Sequence, residues 1–127
     1  TVLRIAAAKQ SLVWHEAFFR GVLCNVLVCM AVWMAMAGRS VMDKAVAIVF
    51  PISAFVAAGF EHSIANMYLM SLALLIQLFE VDAAQHTLTV LGMLGNLLPV
   101  ILGNLVGGSV LVGLVYHLIY RSPPASS

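Results

Sequence analysis

A largely apolar run of 35 residues, positions 45–79, carries Glu61 and His62 side by side near its middle, within "VAAGFEHSIANMYLM". As one helix this run would measure roughly 52 Å at 1.5 Å per residue, against a hydrocarbon core of about 30 Å. Tilt does not absorb such an excess, so the run has to be interrupted. Pro51 is one place for a kink. Residues 59–63 are the stronger one, because Gly59, two ionisable side chains and Ser63 follow one another there with apolar sequence on both sides. Unwound backbone at membrane depth is tolerated only where it is buried in protein or lines a water-filled cavity, so this break is expected to carry chemistry.

Composition agrees with the bilayer. The chain is 63% hydrophobic and 9% charged, where a soluble surface needs about 25% charged residues. Its mean hydropathy is +1.06. The fold class expected is an all-α membrane protein. A net charge of +1, with no basic cluster interleaved with aromatics, excludes a nucleic-acid partner. Cys24 and Cys29 lie about 140° apart around a helix, which argues against a disulfide between them.

Two further blocks are long enough to span. Residues 16–37 form the first and residues 91–120 the third. Between the first two, "GRSVMD" reads as a polar turn in which Gly38 stops one helix and Ser40 caps the next. The third block ends in "RSPPASS", whose prolines cannot continue a helix. Arg39, Lys44 and Arg121 place the first loop and the C-terminus on the cytoplasmic side, with the acidic "EVDAAQHTLT" loop outside. Three spans that start outside suit the second half of a six-span protein. The first residue is not Met and "TVLRIAAAKQ" lacks the features of a signal peptide, so the chain is expected to be a piece of a longer polypeptide.

"GRSVMDKA", Phe55, "GFEHSIANM" and "LLPVILGNLVGGSVLVGL" resemble the second half of a formate/nitrite transporter family protein, over most of the chain from Lys9 to Tyr120. The resemblance implies an aquaporin-like helical bundle: a six-helix channel protomer of two inverted three-helix repeats, assembled as a homopentamer with one anion pore per protomer. Residues 1–127 would then be the C-terminal repeat, with its middle helix broken at 59–63. The partner first-half segment would supply another broken helix, a pore threonine and a narrow apolar ring. A bacterial inner membrane, crossed several times, is the expected location.

His62 is the candidate pore residue. An imidazole titrates ordinarily near about 6.5, which suits proton exchange with a weak acid. A small anion entering a dry constriction is costly, whereas the protonated acid avoids most of that cost. Formate, nitrite, hydrosulfide and lactate-like acids all fit such a pore. Glu61, adjacent in sequence, cannot share the face of His62 on a regular helix and is assigned with Gly59 and Ser63 to support of the break. Asn66, one turn after His62, is placed either against the imidazole or a passing anion, or in an interhelical hydrogen bond.

Phe55 resembles the family's cytoplasm-side constriction; its bland alternative is packing. Lys9 resembles a vestibule cation, and otherwise reads as a snorkelling interface residue. Asn25 and Asn104 match pore-wall and near-centre positions, or else make interhelical bonds. Gly103-xxx-Gly107 reads as a stripe for close helix approach, and Glu16 and Arg20 as an i,i+4 pair. His15, His86 and His117 have no ligand spacing, so no metal or other cofactor is expected. Ser63 beside His62 is a poor nucleophile–base pair, since adjacent side chains rarely face each other, and an enzyme is not expected. The expected function is a transmembrane channel for small weak-acid anions, proton-linked through His62. The alternative is a non-conducting membrane subunit that only assembles with a partner half.

Overall fold

The computed structural model describes residues 1–79 and 88–121. Glu80, Asp82 and His86 of the acidic loop, and the tail after Arg121, lie outside the described residues. Every regular element within them is helical. α1 (Val2–Gln10) is followed by α2 (Trp14–Ala37), then by α3 (Val41–Ala57) and α4 (Ser63–Phe79). α5 (Val90–Leu105) continues through a π-helical stretch, Val106–Leu114, into α6 (Val115–Tyr120).

Trp14–Ala37 and the continuous Val90–Tyr120 are each long and apolar enough to cross a membrane. The middle block is divided into two pieces of 17 residues each, α3 and α4, about 25 Å apiece. The interruption falls at residues 58–62, one position earlier at each end than the sequence suggests. The sequence reading assigns no helix to the first ten residues, where α1 forms, because nine residues give too little apolar periodicity to read. It also takes the third block as uniform. The helix instead widens where Gly107 and Gly108 press on Val22 and Asn25 of α2.

Polar caps set the turns outside the apolar blocks. Ser40 and Asp43 form a reciprocal capping box at the start of α3: the Asp43 N–H donates to Ser40 Oγ at 3.1 Å and the Ser40 N–H to Asp43 Oδ2 at 3.0 Å. Thr89 Oγ1 accepts from the Gly92 N–H at 3.0 Å and so caps α5. The Gln10 amide brackets the Thr89 backbone and the Gln77 amide brackets that of Leu88, tying the start of α5 to α1 and α4.

Two seams hold the helices together. Along the first, α2 and α5 run side by side in parallel, with backbone almost on backbone. A Cβ on Gly103 would collide with the Phe18 carbonyl, and one on Gly107 with the Val22 carbonyl. Gly21 faces Val100 in the same way. Further along, Trp33 stacks on Tyr116 with ring centroids 4.2 Å apart. In the second seam α1, α4 and the start of α5 bury Ala6, Met70, Ala73 and Leu88. α3 rests on α2 and leaves Phe50 72% exposed. Such a surface suits hydrocarbon or further helices, not water.

Candidate functional site

The break begins as a helix C-terminus of ordinary chemistry. Gly59 takes φ +66°, a conformation that costs a glycine little and a side-chain residue considerably more. The Gly59 N–H donates to the Val56 carbonyl at 3.1 Å and the Phe60 N–H to the Phe55 carbonyl at 3.0 Å. These are the two hydrogen bonds of a Schellman stop. The chain then runs non-helically through residues 60–62 until the Asn66 N–H, donating to the His62 carbonyl at 2.8 Å, starts α4.

With no helix through residues 60–62, the two neighbours part company: Glu61 is buried and His62 only half-buried. Glu61 goes inward and is 2% exposed. Its Oε1 accepts from Lys9 Nζ at 2.8 Å, and its Oε2 accepts from the Asn66 amide. The same Asn66 Nδ2 donates to Asn96 Oδ1 at 3.0 Å, and Asn96 Nδ2 donates to the Lys9 carbonyl at 2.8 Å. The ring of contacts therefore closes on the residue where it began, joining α1, the break, α4 and α5. A buried carboxylate is tolerable only when paired and hydrogen-bonded, and both of its oxygens are.

A second polar centre faces the break from the α5 side. Asn104 Nδ2 donates to the Glu61 carbonyl at 3.1 Å and to the Gly21 carbonyl at 2.9 Å. Its Oδ1 accepts from the Ser63 N–H at 3.0 Å, capping α4 from another helix. Asn25 Nδ2 donates to the Asn104 carbonyl at 2.6 Å. From α2, Arg20 Nη1 donates to the Gly59 carbonyl at 3.1 Å, while Nη2 pairs with Glu16 Oε1 at 2.6 Å.

His62 is half-buried and lines an open groove of about 680 Å³. Phe55, Lys9, Arg4, Arg20 and Leu69 line it with the histidine. The Phe55 ring centre stands 6.2 Å from that of His62. The wall of this groove thus joins one imidazole, the Lys9–Glu61 ion pair and the two guanidinium groups of Arg4 and Arg20 to apolar rings and aliphatic chains. Chemically it can draw in a small anion and present a titratable group to it.

The predicted residues fall into two groups. Lys9, Phe55, Gly59, Glu61, His62 and Asn66 border the groove. Asn25 and Asn104 lie behind the break in the α2–α5 seam, their amides taken up by backbone. The Asn66 amide bonds to Glu61 and Asn96 and not to the His62 ring. Lys9 is paired with Glu61, so the vestibule position is not held by a lone cation. Sequence reading misses Asn96, although an asparagine in the middle of "LGMLGNLLPV" is a polar residue without local purpose. It also misses the long-range half of Arg20, whose contact with Gly59 lies 39 positions away.

The chain is 45% identical over 130 residues to the Escherichia coli K12 formate channel FocA, covering 94% of this chain and 46% of that protein. A protein of Toxoplasma gondii named formate-nitrite transporter 2 is 43% identical over 112 residues, 88% of this chain and 23% of its own. Among solved structures, a pentameric formate channel with formate bound superimposes with a TM-score of 0.87 at 39% identity, covering 95% of this chain and 52% of that one. An ion channel of the same family gives a TM-score of 0.79 at 41% identity, with 96% and 45% covered. The chain spans about half the length of the FocA relatives it matches. Residues 1–118 match the family described as formate/nitrite transporter, and the chain belongs to that family.

Proposed function

We propose that this chain is the C-terminal three-helix half of a channel protomer that conducts small monovalent weak-acid anions, formate or nitrite above all, with His62 exchanging a proton on the path. The observation that carries the reading is the parting of two neighbours at the break: both border the groove, but Glu61 is buried and neutralised by Lys9, while His62 stays half-buried and unpaired with it, beside Phe55. Family membership and the formate channels among the relatives support the same substrate class. A first-half segment would cover the exposed face of α3 and close the groove into a pore. By analogy with the pentameric neighbour, five protomers assemble, in a bacterial inner membrane.

In this reading Arg4, with Arg20 beside it, raises the local anion concentration at the mouth, while the charge of Lys9 is taken up by Glu61. The anion then meets an apolar slit at Phe55, where the bare charge is expensive and the neutral acid is not. His62 stands at that transition, and a proton passed between imidazole and carboxylate lets the acid cross uncharged. Asn25, Asn66 and Asn104 hold the wall.

The test is pH-dependent formate and nitrite uptake in proteoliposomes carrying this chain with its first-half segment. Uptake should rise as external pH falls. His62→Asn keeps size and hydrogen-bonding shape but removes the titration, so the pH dependence should flatten, with flux either lost or turned into an anion leak. An unchanged rate and pH profile in His62→Asn would make the histidine structural. A second reading, a subunit that only assembles, draws on the chain spanning about half of its relatives; it requires no flux from the paired halves.

A further inference from the structure

The break is held at two carbonyls, one on each side of Phe60, by side chains from two different helices. Buried Asn104 of α5 holds that of Glu61, and Arg20 of α2 holds that of Gly59. The two anchors differ in kind. Asn104 also serves Gly21 and Ser63, so it belongs to the general joint between helices. Arg20 touches the break at the Gly59 carbonyl and borders the same groove as His62 and Phe55.

Its geometry is that of a strap. The guanidinium is a planar fork with donors at fixed angles, and Glu16, one turn earlier on α2, accepts from one arm at 2.6 Å and orients the other toward the Gly59 carbonyl at 3.1 Å. Gly59 lies three residues before His62 and four after Phe55, at the left-handed pivot of the turn. A rotation about that pivot moves the ring before it against the ring after it. Helix propensity does not fix the pivot, because the residue there is a glycine with no preference between the two hands.

Resting on the function proposed above, we infer that Arg20, oriented by Glu16, is a positioning residue for the pore histidine: it pins the Gly59 turn to α2 and so sets the placement of His62 relative to Phe55. Lysine in its place keeps the charge but lacks the planar fork that holds Glu16 and the carbonyl at fixed angles.

Two measurements on the paired halves test this. In proteoliposomes, Arg20→Lys should lower maximal formate flux about tenfold and displace the pH profile, with half-saturation changed less than about twofold. Glu16→Gln should do the same more weakly. By hydrogen–deuterium exchange, the peptide covering residues 55–66 should exchange faster in Arg20→Lys than in the wild type. Unchanged flux and exchange would overturn the inference. So would a raised half-saturation, abolished by salt, with a wild-type pH profile, since Arg20 would then only attract anions. Fewer folded molecules with wild-type flux per molecule would overturn it as well, leaving a purely structural arginine. A wild type without flux would overturn the functional reading alone, because the exchange of residues 55–66 still reports whether Arg20 holds the turn.

Discussion

The α2–α5 seam and the α3–α4 break lie against each other, yet they are held by different means. Along the seam Gly21, Gly103 and Gly107 let backbones meet, and shape fixes the helices together with the amides of Asn25 and Asn104. At the break, a carboxylate, an ammonium group, a guanidinium and three amides occupy the backbone and one another. Lipid explains the division. Helices already in a membrane gain little from hydrophobic burial, so close packing of small residues is the economical way to join them. Polar backbone freed by a broken helix has no water to turn to and must be met group by group. The seam therefore should tolerate no added volume, and the break no lost partner.

The largest effect should come from removing one partner at the break. Lys9→Met leaves the Glu61 carboxylate, 2% exposed, with only the Asn66 amide. Breaking a buried pair in this way should cost about 3–5 kcal/mol. Adding Glu61→Gln removes the stranded charge and should restore most of that loss, an interaction visible in a double-mutant cycle. Unfolding midpoints in mixed detergent give the four stabilities. Equal losses in the single and double variants would mean that the pair is not the element holding the break.

The complementary experiment adds volume to the seam. Gly103→Ala places a methyl where the Phe18 carbonyl already lies, so α2 must shift. Overpacking of this kind costs typically about 1–3 kcal/mol. Gly95, with open space around it, is the control, and Gly95→Ala should be close to neutral. If the two substitutions have the same effect, the close approach of α2 and α5 is not what stabilises them.

This contrast also decides what was legible in the sequence. The break could be read from length alone, because a 35-residue apolar run does not fit the bilayer and only one place in it holds a glycine, two ionisable groups and a serine together. The stripe at Gly103 and Gly107 was legible because close approach depends on residue type and spacing. The partners were not. The adjacency of Glu61 to His62 assigns it to support of the break, but its pairing with Lys9 joins residues 52 positions apart, and Asn96 reaches the Lys9 carbonyl across 87. No periodicity encodes such distances. Arg20 was half legible: its i,i+4 pairing with Glu16 is local and its bond to Gly59 is not. α1 escaped for another reason, being too short to show a pattern.

The smallest effect expected lies outside both regions, at the turn before α3, and it separates polar networks that serve the site from those that only end a helix. Ser40 and Asp43 cap each other there in full contact with solvent. Asp43 sits below the ordinary carboxylate range, first because it accepts the Ser40 N–H, then through the Ser40 hydroxyl and the Arg39 N–H. A carboxyl depressed on folding stabilises the fold above its unfolded value of about 3.9, and that contribution fades as pH falls through the lower folded value. Ser40→Ala should cost about 1 kcal/mol at neutral pH, as loss of an N-cap does. Asp43→Asn should remove the part of the acid sensitivity that belongs to this box, so that its stability falls less steeply below about pH 4 than that of the wild type. Neither substitution should move the pH profile of uptake, because the box sits at the start of α3, at the opposite end of that 17-residue helix from the break. A displaced uptake profile in Ser40→Ala would mean that the end of α3 is coupled to the break, and the separation between holding a helix and tuning the pore would no longer stand.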